Sequence, residues 1–302
     1  MSELFEKARE RIAAESGLAP EERHARLVER MQARADAYNR TPGKLKDGYT
    51  ISAADGGTRS VEGDGYDCPL CMNRGDTMAI RDTGSAVYEY AVQCKCMAIR
   101  QSIWRLRASG LEQSIREYTF RRFRATEPWQ QKMVEVAQKY LAEGVKEGRW
   151  LMMGGQVGCG KTHVCTAVAG KLLYEMPVSY AVWPQAAQKI KALSTSADEY
   201  AEEAGKLQRI DVLYIDDLFK PVPDDYGGKK PPNGADIRLA FEILNYRYIN
   251  RMPTILSSEW HLSELADIDE AVASRIAERC GPYSIDIGRS KARNHRFANA
   301  AV

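Results

Sequence analysis

Gly155-Gln156-Val157-Gly158-Cys159-Gly160-Lys161-Thr162 meets the full P-loop requirement. Its glycines let successive backbone N–H groups point at phosphate oxygens with no Cβ in the way. Lys161 then reaches the β- and γ-phosphates, and the Thr162 hydroxyl reaches Mg²⁺. The flanks agree with this. Trp150-Leu-Met-Met153 reads as a short buried strand, and His163 to Tyr174 as a helix with Val164, Val168 and Leu172 at i, i+4 and i+8. The helix N-terminus therefore faces the phosphates. Gly155, Gly158, Cys159 and Gly160, followed by Lys161, Thr162 and His163, are the expected contacts of a bound nucleoside triphosphate.

Some 50 residues downstream, Ile210-Asp-Val-Leu-Tyr-Ile-Asp216-Asp217 is an apolar strand ending in two carboxylates, a Walker B pattern. It puts Asp216 beside the magnesium ion and Asp217 near the γ-phosphate, where it can polarise an attacking water. Alone the pattern also fits a surface strand with solvated acids. Beside a P-loop the catalytic reading prevails. Pro253 to Ser258 reads as another buried strand ending in hydroxyls, with Ser258 the candidate polar sensor of the γ-phosphate. Arg275 and Arg279 lie four apart on a predicted helix and could reach a neighbouring copy's nucleotide, so self-association through ATP sites is expected. Arg293 and Arg296 are candidates for a contact in cis.

Cys68-Pro-Leu-Cys71 and Cys94-Lys-Cys96 have the spacing of a two-knuckle zinc site. The 22 intervening residues carry turn signals and a predicted β-hairpin, and no histidine. A structural Cys68, Cys71, Cys94, Cys96 zinc centre is the simple expectation, with reduced free thiols as the other reading. Cys159, Cys165 and Cys280 lie far from it in sequence.

The chain has 302 residues and a formal charge of only +2, so no whole-molecule field announces a nucleic-acid partner. The distribution is more informative. Residues 61–90 carry two arginines against six acids, whereas 95–124 carry eight Lys/Arg against two. That basic run, Lys95 to Arg124, fits DNA phosphates, an acidic partner or a solvated helix face. Phe120 and Phe123 stand where an adenine could stack. No apolar run is long enough to span a membrane and no signal-peptide h-region is seen, which points to a cytoplasmic protein. The divisions expected are a helical arm and linker over 1–60 (helices 2–16 and 20–39), a cysteine module over 61–97, a basic linker helix over 98–125, and an α/β domain with a mainly parallel sheet over 126–302.

Several long strings resemble one family in order. They are Tyr66-Asp-Cys-Pro-Leu-Cys-Met-Asn-Arg-Gly75, Gln93-Cys-Lys-Cys-Met-Ala-Ile-Arg100, Gly154-Gly-Gln-Val-Gly-Cys-Gly-Lys-Thr-His163, Leu213-Tyr-Ile-Asp-Asp-Leu-Phe219 and Phe241-Glu-Ile-Leu-Asn-Tyr-Arg247. These resemble phage and Gram-positive DnaC-like replication proteins, AAA+ loaders of the replicative helicase that are related to DnaI and the IstB transposition ATPases. The resemblance spans roughly residues 61–298. It implies an AAA+ P-loop domain, ATP and Mg²⁺ as cofactors, and partners in a DnaB-type replicative DNA helicase and single-stranded DNA. By position, Lys161, Thr162, Asp216 and Asp217 form the ATP–Mg²⁺ site, Arg275 is the arginine finger and Arg296 the sensor-2 arginine. Asp217 is one methylene shorter than the Glu of most AAA+ ATPases, which implies slow, switch-like hydrolysis. Ser258 replaces a sensor-1 Asn. An extra helix within 184–208 would present Lys189 and Lys191 to DNA, and 221–235 would be a flexible insertion. An IstB-like transposition helper and a non-hydrolysing ATP-bound adaptor are the competing readings.

Overall fold

The computed structural model describes residues 16–41, 50–52, 58–60, 66–108, 112–173, 175–223 and 228–294. The helix expected over 2–16 lies, but for its last residue, outside them. The chain divides into two compact units, Met1–Arg100 and Gln101–Val302. The break falls at Arg100, inside a helix.

In the first unit, helix α1 (Pro20–Arg40) starts with proline at its first turn followed by Glu21 and Glu22, both favourable to the helix dipole. Two short strands, β1 (Thr50–Ser52) and β2 (Thr58–Ser60), pair antiparallel within the stretch expected to be linker. Strands β3 (Asp76–Asp82) and β4 (Val87–Gln93) form the expected hairpin, in register from Asp76↔Gln93 to Asp82↔Val87. Helix α1 lies on that hairpin. The Asn39 amide pairs with both backbone groups of Met78 at 3.0 and 2.8 Å, Tyr38 donates to Asp76 at 3.0 Å, and the Arg74 guanidinium stacks 3.8 Å from the Tyr38 ring centre. Of the narrow apolar stripe of α1, Ala35 is buried and Leu27, Met31 and Tyr38 are half-buried. Helix α2 (Cys96–Ala108) then leads out of it.

The second unit is built on a five-stranded sheet of β5 (Trp150–Gly155), β6 (Val178–Val182), β7 (Val212–Asp216), β10 (Thr254–Ser257) and β11 (Ser284–Ile287). The order is β11-β5-β10-β7-β6, and every pairing is parallel. β5, β7 and β10 are buried along their whole length, as expected of central strands covered on both faces. The covering helices are α3 (Glu112–Glu117), α4 (Pro128–Lys139), α5 (Lys161–Leu172), α6 (Trp183–Ala192), α7 (Ala197–Arg209), α8 (Gly234–Ile249), α9 (Leu262–Ile268) and α10 (Glu270–Cys280). Trp150, Met152, Leu213, Ile215 and Leu256 from the sheet pack with Leu239, Ile243 and Ile276 from the helices. A minimal antiparallel pair, β8 (Val222–Pro223) and β9 (Lys229–Lys230), sits in the 221–235 insertion. Lys229 anchors it by bonding the Glu259 carbonyl at 2.6 Å and the Glu264 carboxylate at 2.9 Å, and lies over the Trp260 ring. Lys229 thereby ties β9 to the segment that follows β10.

A buried arginine joins the layers. Arg247, fully buried near the end of α8, donates to the carbonyls of Leu207, Gln208, Ile210, Asp211 and Pro253 and to the Thr254 hydroxyl, at 2.6–3.3 Å. It thereby satisfies the otherwise orphaned C-terminal carbonyls of α7 and ties the lead-ins of β7 and β10 together. Burial lowers its pKa to about 9, so it stays charged at neutral pH. Arg247→Met should lower the unfolding free energy by about 3–5 kcal/mol, because it orphans several buried carbonyls at once. A urea midpoint within error of wild type would refute this role.

Candidate functional site

The strand order puts β10 between β5 and β7, so the residues at their carboxyl ends converge on one edge of the sheet. Open parallel sheets bind ligands at that edge. The P-loop leaves β5 at Gly155 and enters α5 at Lys161, and Gly160 caps the helix with φ +96°. A Cβ there would meet the Phe123 ring at 2.7 Å, so both conformation and space require glycine. The Lys161 ammonium, buried, bonds back to the carbonyls of Gly155 at 2.8 Å and Gln156 at 2.7 Å. No carboxylate among the described residues pairs with it. A buried cation facing a helix N-terminus, with only neutral partners, fits a bound phosphate.

Asp216 ends β7 and collects three hydroxyl donors. Thr162 Oγ1 reaches its Oδ1 at 3.2 Å, Ser257 Oγ shares that oxygen, and Tyr180 donates to Oδ2 at 3.0 Å. Burial, reinforced by the Asp216 charge, pushes the Tyr180 phenol pKa up, so it remains a donor. Thr162 and Asp216, read from the sequence as the magnesium pair, are brought into direct contact. Their hydroxyl and carboxylate are the hard oxygen donors that Mg²⁺ takes. Asp217, the next residue, has φ +56°, its N–H donates to Ser257 Oγ at 3.0 Å, and its carboxylate pairs with Lys220 at 2.7 Å.

Ser258 departs from its expected place. Fully buried, its hydroxyl donates to the Leu218 carbonyl at 2.7 Å and accepts from the Trp260 N–H at 3.2 Å. Ser257 is the hydroxyl that donates to the Asp216 carboxylate and accepts from the Asp217 backbone N–H. Adjacent residues at a strand end point to opposite sides, so a shift of one position exchanges a group on the Asp216 side for a structural pin.

His163 is the third residue of α5 and is held by the segment before the core. Its Nε2 lies 2.9 Å from the Thr119 carbonyl, Tyr118 stacks on it at 4.9 Å, and Phe123 meets it edge-on at 5.1 Å. Burial lowers its pKa, which keeps the ring neutral. Phe123 thus braces the P-loop. Cys159 is buried, its thiol directed at the Gln156 carbonyl, and burial raises its pKa. The Gln156 side chain holds the backbone of Ser290, which lays the 288–294 segment beside the loop.

Arg275 is half-buried and tied within its own chain. It donates to Asn245 at 2.9 Å and to the Ala271 carbonyl at 2.8 Å, and lies over the Phe241 and Tyr248 rings. Arg279 is buried against the Gly148 carbonyl. Arg296 lies outside the described residues. Two helices, α6 and α7, fill the space after the second core strand. Lys189 and Lys191, expected to face DNA, are paired with Glu203 and Asp236. In the basic run, Arg100 is buried and bonded to Asn73 at 2.8 Å, whereas Arg121, Arg122 and Arg124 are exposed.

The cysteine centre stands in the first unit. Cys68, Cys71, Cys94 and Cys96 are all buried, and their sulfurs lie within 4.8 Å of one another, with Cys68–Cys94 at 3.7 Å and Cys71–Cys96 at 3.5 Å. A tetrahedron with Zn–S bonds of about 2.3 Å has edges of about 3.8 Å, so the cluster fits zinc. Met72 and Asn73 take positive φ to form the knuckle, the Gly75 N–H points at Cys71 Sγ, and Asn73 Oδ1 accepts from the Cys68 N–H. Burial pushes the Cys94 thiol up to about 11 and raises that of Cys96, so a cation is what would hold these sulfurs as thiolates.

Known proteins place the chain. It is 35% identical over 243 residues, 77% of this chain and 86% of the other, to the phage-like element PBSX protein XkdC of Bacillus subtilis. The chain belongs to the XkdC family. An uncharacterized protein of the same bacterium, YqaM, is 29% identical over 70% of this chain and 68% of its own length. The crystal structure of the DnaC helicase loader aligns with a TM-score of 0.47 at 17% identity, over 59% of this chain and 99% of that one. No family model matches. The parallel sheet, P-loop and Walker B strand make the second unit an AAA+ P-loop domain, and the DnaC-like resemblance of the motifs agrees with the XkdC membership. No helix among the described residues is long and apolar enough to cross a membrane.

Proposed function

We propose that this chain is an ATP-dependent loader that carries a DnaB-type replicative DNA helicase onto single-stranded DNA, with slow hydrolysis acting as a switch. The observation that carries the ATPase part is the contact of Thr162 with Asp216 beside a P-loop whose buried Lys161 has no carboxylate partner among the described residues. Bound Mg²⁺ would neutralise phosphate charge, held by Thr162 and Asp216. Lys161 and the first N–H groups of α5 would bind the phosphates. Asp217 would take the proton of the attacking water, and Ser257, bonded to the Asp216 carboxylate and the Asp217 backbone N–H, would relay the state of the site to β10. Arg275 would leave its Asn245 and Ala271 contacts to reach a neighbouring copy's nucleotide.

The loader part rests on the DnaC-like motif strings together with the cysteine centre, which IstB-like transposition helpers generally lack. The first unit would hold the helicase, and exposed Arg121, Arg122 and Arg124 would meet DNA phosphates. Zinc would fix the first unit. Co-elution with the replicative helicase of the same genome, in ATP and in ADP, tests this. A complex that needs residues 1–100 and changes with nucleotide is the expected result. No complex in either nucleotide would overturn the loader reading while leaving the ATPase reading intact.

A further inference from the structure

We propose that Lys220 is a positioning residue that restrains the Asp217 carboxylate and so keeps basal hydrolysis low. The inference deepens the reading of Asp217 as general base and rests on it. The turn after β7 is built to bring these two side chains together. Asp217 and Phe219 take φ of +56° and +53°, uncommon outside glycine. The rest of the turn is pinned from β10 and its exit. The Leu218 N–H donates to the Ser257 carbonyl at 2.8 Å, the Ser258 hydroxyl to the Leu218 carbonyl, and the Trp260 indole to the Phe219 carbonyl at 2.5 Å. Leu218 and Phe219 are both buried. On this fixed turn the Lys220 N–H returns to the Asp217 carbonyl at 3.0 Å, and its ammonium to Asp217 Oδ2 at 2.7 Å.

The two adjacent acids are therefore held differently. Asp216 is surrounded by hydroxyls, which orient it and leave its charge in place for a cation. Asp217 has an ammonium on Oδ2, which fixes the direction of the carboxylate, so it turns toward an attacking water only by giving up or bending that contact. The Lys220 side chain is half exposed, so the restraint is modest. Exposed pairs of this kind are worth up to about 1 kcal/mol, which corresponds to a roughly five-fold change in rate. The pair is a brake, not a block.

The test is single-turnover ATP hydrolysis by the full chain, with a fluorescent-nucleotide titration alongside. Lys220→Met should raise the hydrolysis rate about two- to five-fold at unchanged nucleotide affinity, and Lys220→Arg, which keeps the ion pair, should stay near wild type. In the nucleotide-free protein, a double-mutant cycle on thermal midpoints should show Lys220→Met and Asp217→Asn to be coupled, the double variant losing no more than either single one. A Lys220→Met rate equal to or below wild type, or additive midpoints, would overturn the restraint. Hydrolysis surviving in Asp217→Asn would instead overturn the general-base reading beneath it.

Discussion

Asp217→Asn is expected to lower ATP turnover by at least about 100-fold while leaving nucleotide affinity nearly unchanged, because a positioned general base contributes roughly 10²–10⁴ in rate. The substitution is a clean probe at this position. Asparagine is the residue that best shares with aspartate the left-handed backbone seen at φ +56°, so the turn survives the change. The N–H bond to Ser257 involves the backbone and also survives. What is lost is the carboxylate's capacity to accept a proton. Lys161→Ala gives the contrasting phenotype, loss of nucleotide binding itself, because it removes the buried ammonium at the helix N-terminus. A binding titration and a phosphate-release assay on the same preparations separate the two. Wild-type turnover in Asp217→Asn would contradict the assigned role.

Removing zinc should unfold the cysteine module. The predicted stoichiometry is one zinc per chain by elemental analysis. Stripping it with a strong chelator, or replacing Cys71 by Ser, should expose residues 66–100 to protease while nucleotide binding by the second unit persists. The effect is large because folding and metal binding are one event in such sites, with apparent free energies of about 10–16 kcal/mol for structural zinc. Besides the metal, the hairpin is held mainly by polar contacts with α1. The hairpin has two strands, and Tyr88, Tyr90 and Val92 along β4 are exposed, so the apolar burial available is small. A metal-free wild type that keeps its protease resistance would rule out the zinc reading.

Features whose chemistry is carried by adjacent residues were legible from the chain alone. The glycine spacing of the P-loop, the apolar strand ending in Asp216 and Asp217, and the paired cysteines on close turns each need only a few consecutive positions. Local spacing therefore reports them faithfully. The alternation of strands and helices after residue 118 likewise gave the parallel α/β core. Tertiary structure decided everything that depends on strand parity or on partners far along the chain. Ser257 faces the acids and Ser258 does not, which follows from the side each presents at the end of β10. Tyr180 reaches Asp216 only because β6 pairs with β7. Arg247 looks like one more surface cation in a helix, yet it is the buried clasp for carbonyls up to 40 residues away in the chain. Lys189 and Lys191 read as free cations until α7 and α8 supply Glu203 and Asp236. The physical reason is the same throughout. A charge or hydroxyl acquires its role from what desolvates and pairs with it, and those neighbours are chosen by the packing of distant segments.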